Sequence, residues 1–596
     1  MNEAFIQQSS TGLWLSFDTP FRVIEAWIPG EILPALQEVE RLVEENTWYA
    51  VGFVTYEAAP EFDRAFRTRV CDVISEQSLP LLRFALYAAP EILPASQLFP
   101  VTRNDEAVPV TALNAWLPSV DHVAYCAAID TIHGHIARGD TYQVNYTWRL
   151  RGQLAGDARH WFGEMVRVQS ARHGAYLDIG QFVVLSASPE LFFSLDGRRL
   201  ITRPMKGTAA RAPDLATDQA RASALRTSAK ERAENVMIVD MMRNDLSRIA
   251  DLGSVQVARL FAIEQYATVW QMTSTVEALT DHSVTEIFRA LFPAASVTGA
   301  PKVYTMGLIA DLETTPRGLY TGAIGFIAPG RRAEFNVAIR TVVLNRASGV
   351  AEYGVGGGIV WDSETTSEYA ECLTKAQVLW VRRPRFSLLE TLLWTPTDGF
   401  SLLEEHLARI SGSASYFGYP IDLEGMRRIL TESAAGFSPS PQRVRLLLDE
   451  DGTMRTESIV LDPCLAQVSL VLATTAINSS DPFFYHKTTH RAGYERARRE
   501  CPGGEDVLLW NERGEITETT IANVVVDLDG EWVTPPITAG LLAGTYRRKL
   551  LEEGTIREKT IKLTDLTRAN GLWVINSVRG QRRASLDGYL GQLLFS

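Results

Sequence analysis

Two pairs of carboxylates are the first residues of this chain whose spacing could do chemistry. In Ser363-Glu364-Thr365-Thr366-Ser367-Glu368-Tyr369-Ala370-Glu371-Cys372-Leu373-Thr374-Lys375, the residues Glu368, Glu371 and Lys375 fall at i, i+3 and i+7. On a helix that spacing puts two carboxylates and one ammonium on a single face. Lys230-Glu231-Arg232-Ala233-Glu234-Asn235 carries a second pair, Glu231 and Glu234, also three apart. If the two faces converge, the carboxylates repel unless a divalent cation lies between them. Mg²⁺, which accepts one or two carboxylates plus an oxyanion, is the natural occupant. A solvated face carrying ion pairs is the commoner meaning of such spacing.

Three further segments resist a purely structural explanation. Arg203-Pro204-Met205-Lys206-Gly207-Thr208 holds Lys206 between a proline-fixed turn and a glycine. Ser296-Val297-Thr298-Gly299-Ala300-Pro301-Lys302 offers small residues, Thr298, Gly299 and Ala300, whose backbone N–H groups could approach an anion. Tyr353-Gly354-Val355-Gly356-Gly357-Gly358-Ile359-Val360 is glycine-rich but lacks the βαβ setting of a dinucleotide loop. It reads equally as a strand with close backbone packing.

The elements that must position these residues are of mixed type. Short β-rich runs, Phe182–Leu185, Leu191–Leu195 and Val337–Leu344, lie between amphipathic helical stretches in the first part of the chain. An α+β layer sandwich is the fold they suggest. A helical pattern from Glu368 ends in Val381-Arg382-Arg383-Pro384, as helix C-termini often do, and divides the chain into 1–381 and 382–596. The second part mixes strand-like runs (Val444–Leu448, Val507–Trp510, Val524–Val526) with helical ones (Leu402–Phe417, Tyr546–Glu553) and is also α+β.

With 58 basic and 71 acidic residues among 596, 46% apolar and 22% charged, the chain is a folded, mildly acidic protein of net charge −13. No long Lys/Arg run is present, so nucleic acid is a poor partner. The five cysteines are odd in number, widely spaced and never in a C-x-x-C, so neither a disulfide frame nor a zinc knuckle is expected, and a reducing cytoplasm suits them. No leader pattern and no apolar run near the ~20 residues of a membrane span is visible, which predicts a cytoplasmic protein without a membrane partner.

Taken in order, Ser188-Pro189-Glu190-Leu191-Phe192, Pro204 to Thr208, Glu234 to Leu246, Val297 to Lys302 and Gly356 to Lys375 resemble the chorismate-utilising enzymes, of the anthranilate-synthase-like α/β sandwich. Within that family a Lys in Pro-x-Lys-Gly-Thr is similar to the aminodeoxychorismate synthase branch, where anthranilate synthases carry Ala. The resemblance implies that Lys206 attacks ring carbon 2 of chorismate, that Glu190 assists departure of the carbon 4 hydroxyl, and that ammonia then enters at carbon 4. It implies Glu234 and Glu371 as Mg²⁺ ligands with Glu231 and Glu368 beside them. Arg340 and Lys375 would hold the substrate carboxylate, and Thr208, Thr298, Gly299, Ala300, Gly356 and Gly358 would line the site. Gln271 stands where many relatives have His. No Gly-x-Cys-x-Gly elbow is present, so ammonia is expected from a separate glutamine amidotransferase subunit, or from free ammonium.

Lys487, in Phe484-Tyr485-His486-Lys487-Thr488-Thr489-His490-Arg491, is followed by Glu515 to Asn523 and Gly540 to Arg547 and preceded by Leu402 to Ile410. That order resembles the fold-type IV pyridoxal-phosphate enzymes, which include amino-acid aminotransferases and aminodeoxychorismate lyase. The chemistry asks for a Schiff-base lysine, a carboxylate at the pyridine nitrogen and an anion cradle. Lys487 fits the first, and Glu518, spaced from Asn523, fits the second. Arg409 with Gly544 and Thr545, before a helix N-terminus, fits the third. A homodimer through this domain is compatible with the resemblance. Together the two halves imply chorismate to 4-aminobenzoate and pyruvate, a step towards folate. The alternatives are an anthranilate-synthase-like enzyme joined to an amino-acid aminotransferase, and a synthase with a non-catalytic C-terminal module.

Overall fold

The computed structural model describes residues 3–69, 78–99, 116–154, 156–380, 383–462 and 467–586. They form two compact units, 1–210 with 222–383, and 211–221 with 384–596. The sequence-based division at 381/382 falls on residues outside the described ones. It also misses Arg211–Arg221, which belong to the second unit. The reason is local: Arg211 donates to the Tyr416 carbonyl at 2.8 Å and lies over the Tyr416 ring, whose hydroxyl donates back to the Ala212 carbonyl.

Two ten-stranded sheets, antiparallel in every pairing, build the first unit. Alternation along the strands gives each sheet two apolar faces. Ile6, Phe17, Leu177 and Val184 of one sheet meet Phe53, Ala85, Ile324 and Phe326 of the other in a shared layer. The outer face of the first sheet is covered by helices His122–Ala137 and Ala158–Gln169. Ile32–Asn46, Ala229–Ser247 and Val284–Leu291 cover the outer face of the second. The result is an α+β sandwich of four layers, in line with the α+β layer sandwich that the mixture of runs predicts.

Three local features position the site. The glycine-rich run is a strand, Val350–Ile359, paired along its length with Gln143–Gln153. The run Val337–Leu344, expected as one strand, is two: Arg332–Val337 lies in one sheet and Thr341–Asn345 in the other. Between them Arg340 takes φ 52°, a left-handed conformation that ends the first strand and redirects the chain. Strand Met205–Ala210 pairs with Val269–Leu279 through a register shift between Met205 and Thr208. Gly207 sits inside it at φ +100°, and a Cβ there would lie 3.0 Å from Glu231 Oε2.

In the second unit, a four-stranded sheet carries helices Leu403–Phe417 and Leu423–Ala434 on one face. Leu388, Leu392, Val444, Leu446 and Leu448 point into that face, each buried aliphatic side chain contributing about 1.5–3 kcal/mol. Leu389, Thr391, Arg443 and Arg445 alternate with them and point the other way. An eight-stranded sheet closes on itself through one pair, Glu518 opposite Asn523, around a core of Val468, Leu470, Leu508, Val524 and Val574. No described helix is long and apolar enough to cross a membrane.

Candidate functional site

The first unit encloses a cavity of about 260 Å³. Its walls come from strand Met205–Ala210, strand Val350–Ile359, helices Ala229–Ser247 and Thr365–Ala376, and the Arg340 crossover. Ser228 caps the first of these helices by accepting from the Glu231 N–H, which fixes the register of Glu231 and Glu234. Lys206, Glu190, Thr208, Gln271, Arg340, Gly356, Gly358 and Lys375 all line the cavity, as do the four carboxylates Glu231, Glu234, Glu368 and Glu371.

Lys206 Nζ lies 3.5 Å from Glu234 Oε2, and Lys375 Nζ lies 2.9 Å from Glu371 and 3.0 Å from the Gly356 carbonyl it donates to. The glycines have a steric purpose. A Cβ on Gly358 would stand 2.7 Å from Lys206 Nζ, and one on Gly357 3.0 Å from Glu368 Oε2. Gln271 donates to the Gly207 carbonyl at 2.7 Å and accepts from Thr208 at 3.1 Å, so it braces the strand that carries Lys206.

Burial tunes the titratable groups. Glu190 is 4% exposed, and desolvation pushes its carboxyl up to about 7, against the pull of Ser296, the Met205 N–H and Lys206. Burial, then the neighbouring Glu234, raises Glu231, and Glu371 on the opposite helix adds to it, so the two carboxylate faces do sense each other. Lys375 lowers Glu371, and in return its own pKa is raised by Glu371 against the burial that would lower it. Glu368 is raised by burial while Ser363 donates to it at 2.7 Å.

One expected lining is not seen. Thr298, Gly299 and Ala300 do not line the cavity. Thr298 is fully buried, with its hydroxyl on the Ala294 and Ala295 carbonyls. Gly299–Ala300 pairs with Val144 and Gln143, and a Cβ on Gly299 would come within 2.1 Å of the Gln143 carbonyl. The segment thus serves as a sheet edge, its Thr298 and Ala300 carbonyls accepting from Asn145 and Tyr142 N–H. The four carboxylates share a cavity, yet among the described residues no three His, Cys, Asp or Glu side chains gather closely enough to hold a metal ion. Lys206 and Lys375 take the neutralising places beside Glu234 and Glu371. One residue was missed altogether: Gln143, 1% exposed and within reach of the same Gly358 position, leaves both amide atoms without a hydrogen-bond partner. It begins the polar register Gln143, Asn145, Thr147 and Arg149 of its strand, which reads as a solvent face and is buried instead, so no local signal marks it.

The second unit holds a cavity of about 560 Å³, lined by Lys487, Glu518, Arg409, Asn523, Gly544 and Thr545 among others. Lys487 is anchored by its backbone: its carbonyl accepts from Leu389 N–H at 3.0 Å, and Thr489 N–H donates to Ser387. Burial, assisted by Arg409 and Arg491, lowers its ammonium to about 8. Glu518, 4% exposed, accepts from Tyr494 Oη at 2.7 Å, Asn523 Nδ2 at 3.0 Å and Leu542 N–H at 3.2 Å. Burial nevertheless pushes it up to about 7. Helix Thr545–Glu552 begins at Gly544, where a Cβ would lie 2.0 Å from Asn523 Oδ1.

Arg409 is less free than an anion cradle alone would want. Its Nε and Nη2 donate to Glu390 at 2.9 and 2.6 Å, and Nη1 donates to the Ala543 carbonyl at 3.2 Å. His406 Nδ1 is 2.6 Å from the same carboxylate and its Nε2 is 3.3 Å from Thr545 Oγ1. Burial would raise Glu390, but Arg409 and His406 overcome it and hold it at about 2. Glu390, Tyr494 and His406 were not singled out from sequence. A lone acid in the apolar strand Leu388–Thr395 was the visible sign of the first.

Pyridoxal phosphate suits this donor set: a lysine partly neutral near pH 8, a buried carboxylate fixed by three donors, and a helix N-terminus beside an arginine. The first cavity supplies hard carboxylate oxygens from two facing helices, which suits Mg²⁺ completed by an oxyanionic ligand better than an all-protein cage.

Residues 3–380 match the profile of the chorismate binding enzymes and residues 387–586 that of the class IV amino-transferases. The chain belongs to the chorismate binding enzyme family and carries a class IV amino-transferase domain after it. It is 37% identical over 275 residues to aminodeoxychorismate synthase component 1 of Salmonella typhimurium, covering 46% of this chain and 60% of that protein. It is 35% identical over 267 residues to anthranilate synthase component 1 of Streptomyces coelicolor, covering 44% and 52%. The chain therefore spans between half and two thirds of the length of these relatives, and overall identity does not separate their two chemistries. The anthranilate synthase component I of Streptococcus pneumoniae shares the fold, with a TM-score of 0.52 at 24% identity over 61% of this chain and 91% of that one.

Proposed function

We propose that the chain makes 4-aminobenzoate in two steps, the first in 1–381 and the second in 382–596. In the first, Lys206 Nζ bonds to ring carbon 2 of chorismate as the carbon 4 hydroxyl leaves with a proton from Glu190. Ammonia then bonds to carbon 4 and the lysine departs, so that chorismate and ammonia give 4-amino-4-deoxychorismate and water. The single observation that carries this reading is a lysine and a carboxyl held near 7 by burial in one cavity, at the position where an acid must keep its proton at neutral pH. Arg340 and Lys375 are suited to hold the substrate carboxylate. Glu234 and Glu371, with Glu231 and Glu368 beside them, would hold Mg²⁺, which would neutralise charge on the substrate. The relatives' designation as component 1 supports a separate amidotransferase as the ammonia source.

In the second step pyridoxal phosphate, when bound, supplies an electron sink at the amine-bearing carbon. Lys487 would hold its aldehyde carbon, Glu518 its ring nitrogen, and Arg409 with the Gly544–Thr545 helix start its phosphate. Lys487 Nζ, near 8, can take the proton from ring carbon 4 and return it as pyruvate leaves and the ring becomes aromatic.

The test is product analysis of purified protein given chorismate, Mg²⁺, pyridoxal phosphate and ammonium, beside Lys206→Ala and Lys487→Ala. Wild type is expected to yield 4-aminobenzoate and pyruvate, Lys487→Ala to stop at aminodeoxychorismate, and Lys206→Ala to lose both. Anthranilate from wild type, or an unchanged Lys487→Ala, would overturn the first or second assignment.

A further inference from the structure

The second unit's cavity is strongly cationic in a way that the cofactor does not use up. Seven arginines and Lys487 line it against one carboxylate, Glu518. Most of those arginines are already engaged. Arg409 is held by Glu390, Arg445 by Glu457 at 2.8 Å, and Arg547 by Glu558 at 2.6 Å and the Pro535 carbonyl. Arg491 donates to the Thr520 carbonyl and lies over the Tyr494 ring, and Arg579 donates to the Asp462 carbonyl. Two are left: Arg443 and Arg582 have no hydrogen-bond or ion-pair partner among the described residues.

Their placement is set by the backbone. Arg443 lies in strand Gln442–Leu448 opposite Leu393, on the same face as Arg445, Leu389 and Thr391, while the other face of that strand is packed in the apolar core. A one-residue slip would bury the guanidinium, so the register is firmly specified. Arg582 is half-buried in strand Gly580–Leu586, opposite Val574, and follows the turn residues Asn576 to Val578 that also line the cavity. That turn is tied to the small sheet where Ser577 donates to the Thr391 carbonyl at 3.4 Å. Arg443 is exposed and Arg582 half-buried, so both guanidiniums are open to an anion that enters the cavity, and the geometry of guanidinium favours carboxylates.

We propose that this cavity recognises a dicarboxylate amine, with Arg443 and Arg582 as the specificity-determining residues that each take one carboxylate. The assignment deepens the reading of the second step, on which it rests for the identity of the substrate. Aminodeoxychorismate carries one carboxylate on its ring and another on its enolpyruvyl group, both remote from the carbon that bears the amine. An ordinary monocarboxylic amino acid carries its only carboxylate on that carbon and would leave the pair unused.

The probe is 3-(carboxymethoxy)benzoate, which places an aryl carboxylate and a second carboxylate on a meta ether, compared with benzoate by calorimetry on the full-length, cofactor-loaded protein. Wild type is expected to bind the dicarboxylate about ten- to a hundredfold more tightly, as two charge-assisted contacts against one imply. Arg443→Gln and Arg582→Gln should each lose about tenfold of that preference and the double variant all of it. Arg443→Lys with Arg582→Lys, which keeps charge and loses the fork, should retain part. Arg445→Gln, whose side chain is already paired, should change the preference less than about threefold. The visible absorbance of bound cofactor checks that each variant is folded. Equal binding of the two probes by wild type, full preference in the double variant, or an equal loss in Arg445→Gln would each overturn the proposal. Dicarboxylate preference in a wild type that makes no 4-aminobenzoate from aminodeoxychorismate would leave this site standing and remove the proposed second step.

Discussion

Replacing Glu190 by Gln should stabilise the protein in a pH-dependent way. Burial raises this carboxyl from 4.5 to about 7 in the folded chain. Between those values the unfolded chain has released the proton while the folded one keeps it, so native stability falls as pH rises through the window and levels off above about 7. The gap of about 2.5 pH units corresponds to about 3 kcal/mol at 1.36 kcal/mol per unit. Glutamine never ionises, and any constant difference in its hydrogen bonds to Ser296 and Met205 cancels when one variant is compared at two pH values. Urea unfolding of wild type and Glu190→Gln at about pH 4.5 and about pH 8 should therefore show the variant gaining about 3 kcal/mol relative to wild type at the higher pH, in whichever transition reports the first unit. The same variant should lose the first product, because the amide cannot donate a proton to the departing hydroxyl. An advantage that is equal at both pH values would refute the claim that Glu190 stays protonated near neutrality, and with it the choice of Glu190 as acid.

Glu390→Gln should act with the opposite sign. Its carboxylate, held at about 2 by Arg409 and His406 against burial, contributes stability above the unfolded value of 4.5 that disappears as pH falls through 2. At neutral pH the variant should cost about 3–5 kcal/mol in thermal unfolding of the second unit and weaken cofactor retention; an unchanged melting temperature would contradict the network. Gly358→Ala should cut formation of aminodeoxychorismate by at least about tenfold, since the new methyl meets Lys206 Nζ at 2.7 Å, while conversion of added aminodeoxychorismate stays normal. Chelation with EDTA should stop the first reaction and spare the second; loss of neither would remove Mg²⁺ from the scheme.

Much of the first site was legible because helices repeat simply. Carboxylates three apart, at Glu231 and Glu234 and at Glu368 and Glu371, do face one cavity. The chain order around Lys487 likewise brings Glu518, Asn523 and Gly544 together, because one strand pair that closes the sheet juxtaposes Glu518 and Asn523. Other features had no local signature. Apolar periodicity reads Val337–Leu344 as one strand, since nothing in it announces that Arg340 will adopt positive φ and carry the chain from sheet to sheet. Thr298 to Ala300 has the composition of an anion loop, and only the pairing with Gln143 and Val144 reveals it as a sheet edge that does not line the cavity. Arg211–Arg221 joins the second unit through contacts with Tyr416, about two hundred positions away in sequence. Such contacts lie beyond any window in which propensity operates.

The two cavities solve opposite electrostatic problems with the same tools. In the first, lysines stand among four carboxylates, so an anionic substrate can approach only where Arg340, Lys206 and Lys375 offset the acids or where a divalent ion does. In the second, arginines outnumber the acid, and the surplus acts on the Lys487 amine. The surplus in fact assists, because Arg409 and Arg491 join burial in lowering Lys487 to about 8, which leaves about a tenth of it neutral at pH 7. Removing a positive charge close to Lys487 should therefore raise its pKa and slow proton transfer, whereas neutralising Arg443 or Arg582, which are not among the largest influences on it, should alter substrate affinity and shift that pKa far less. A pH profile of the second reaction separates the two roles: Arg491→Gln should move the rising limb to higher pH, and Arg443→Gln should raise KM and move it far less.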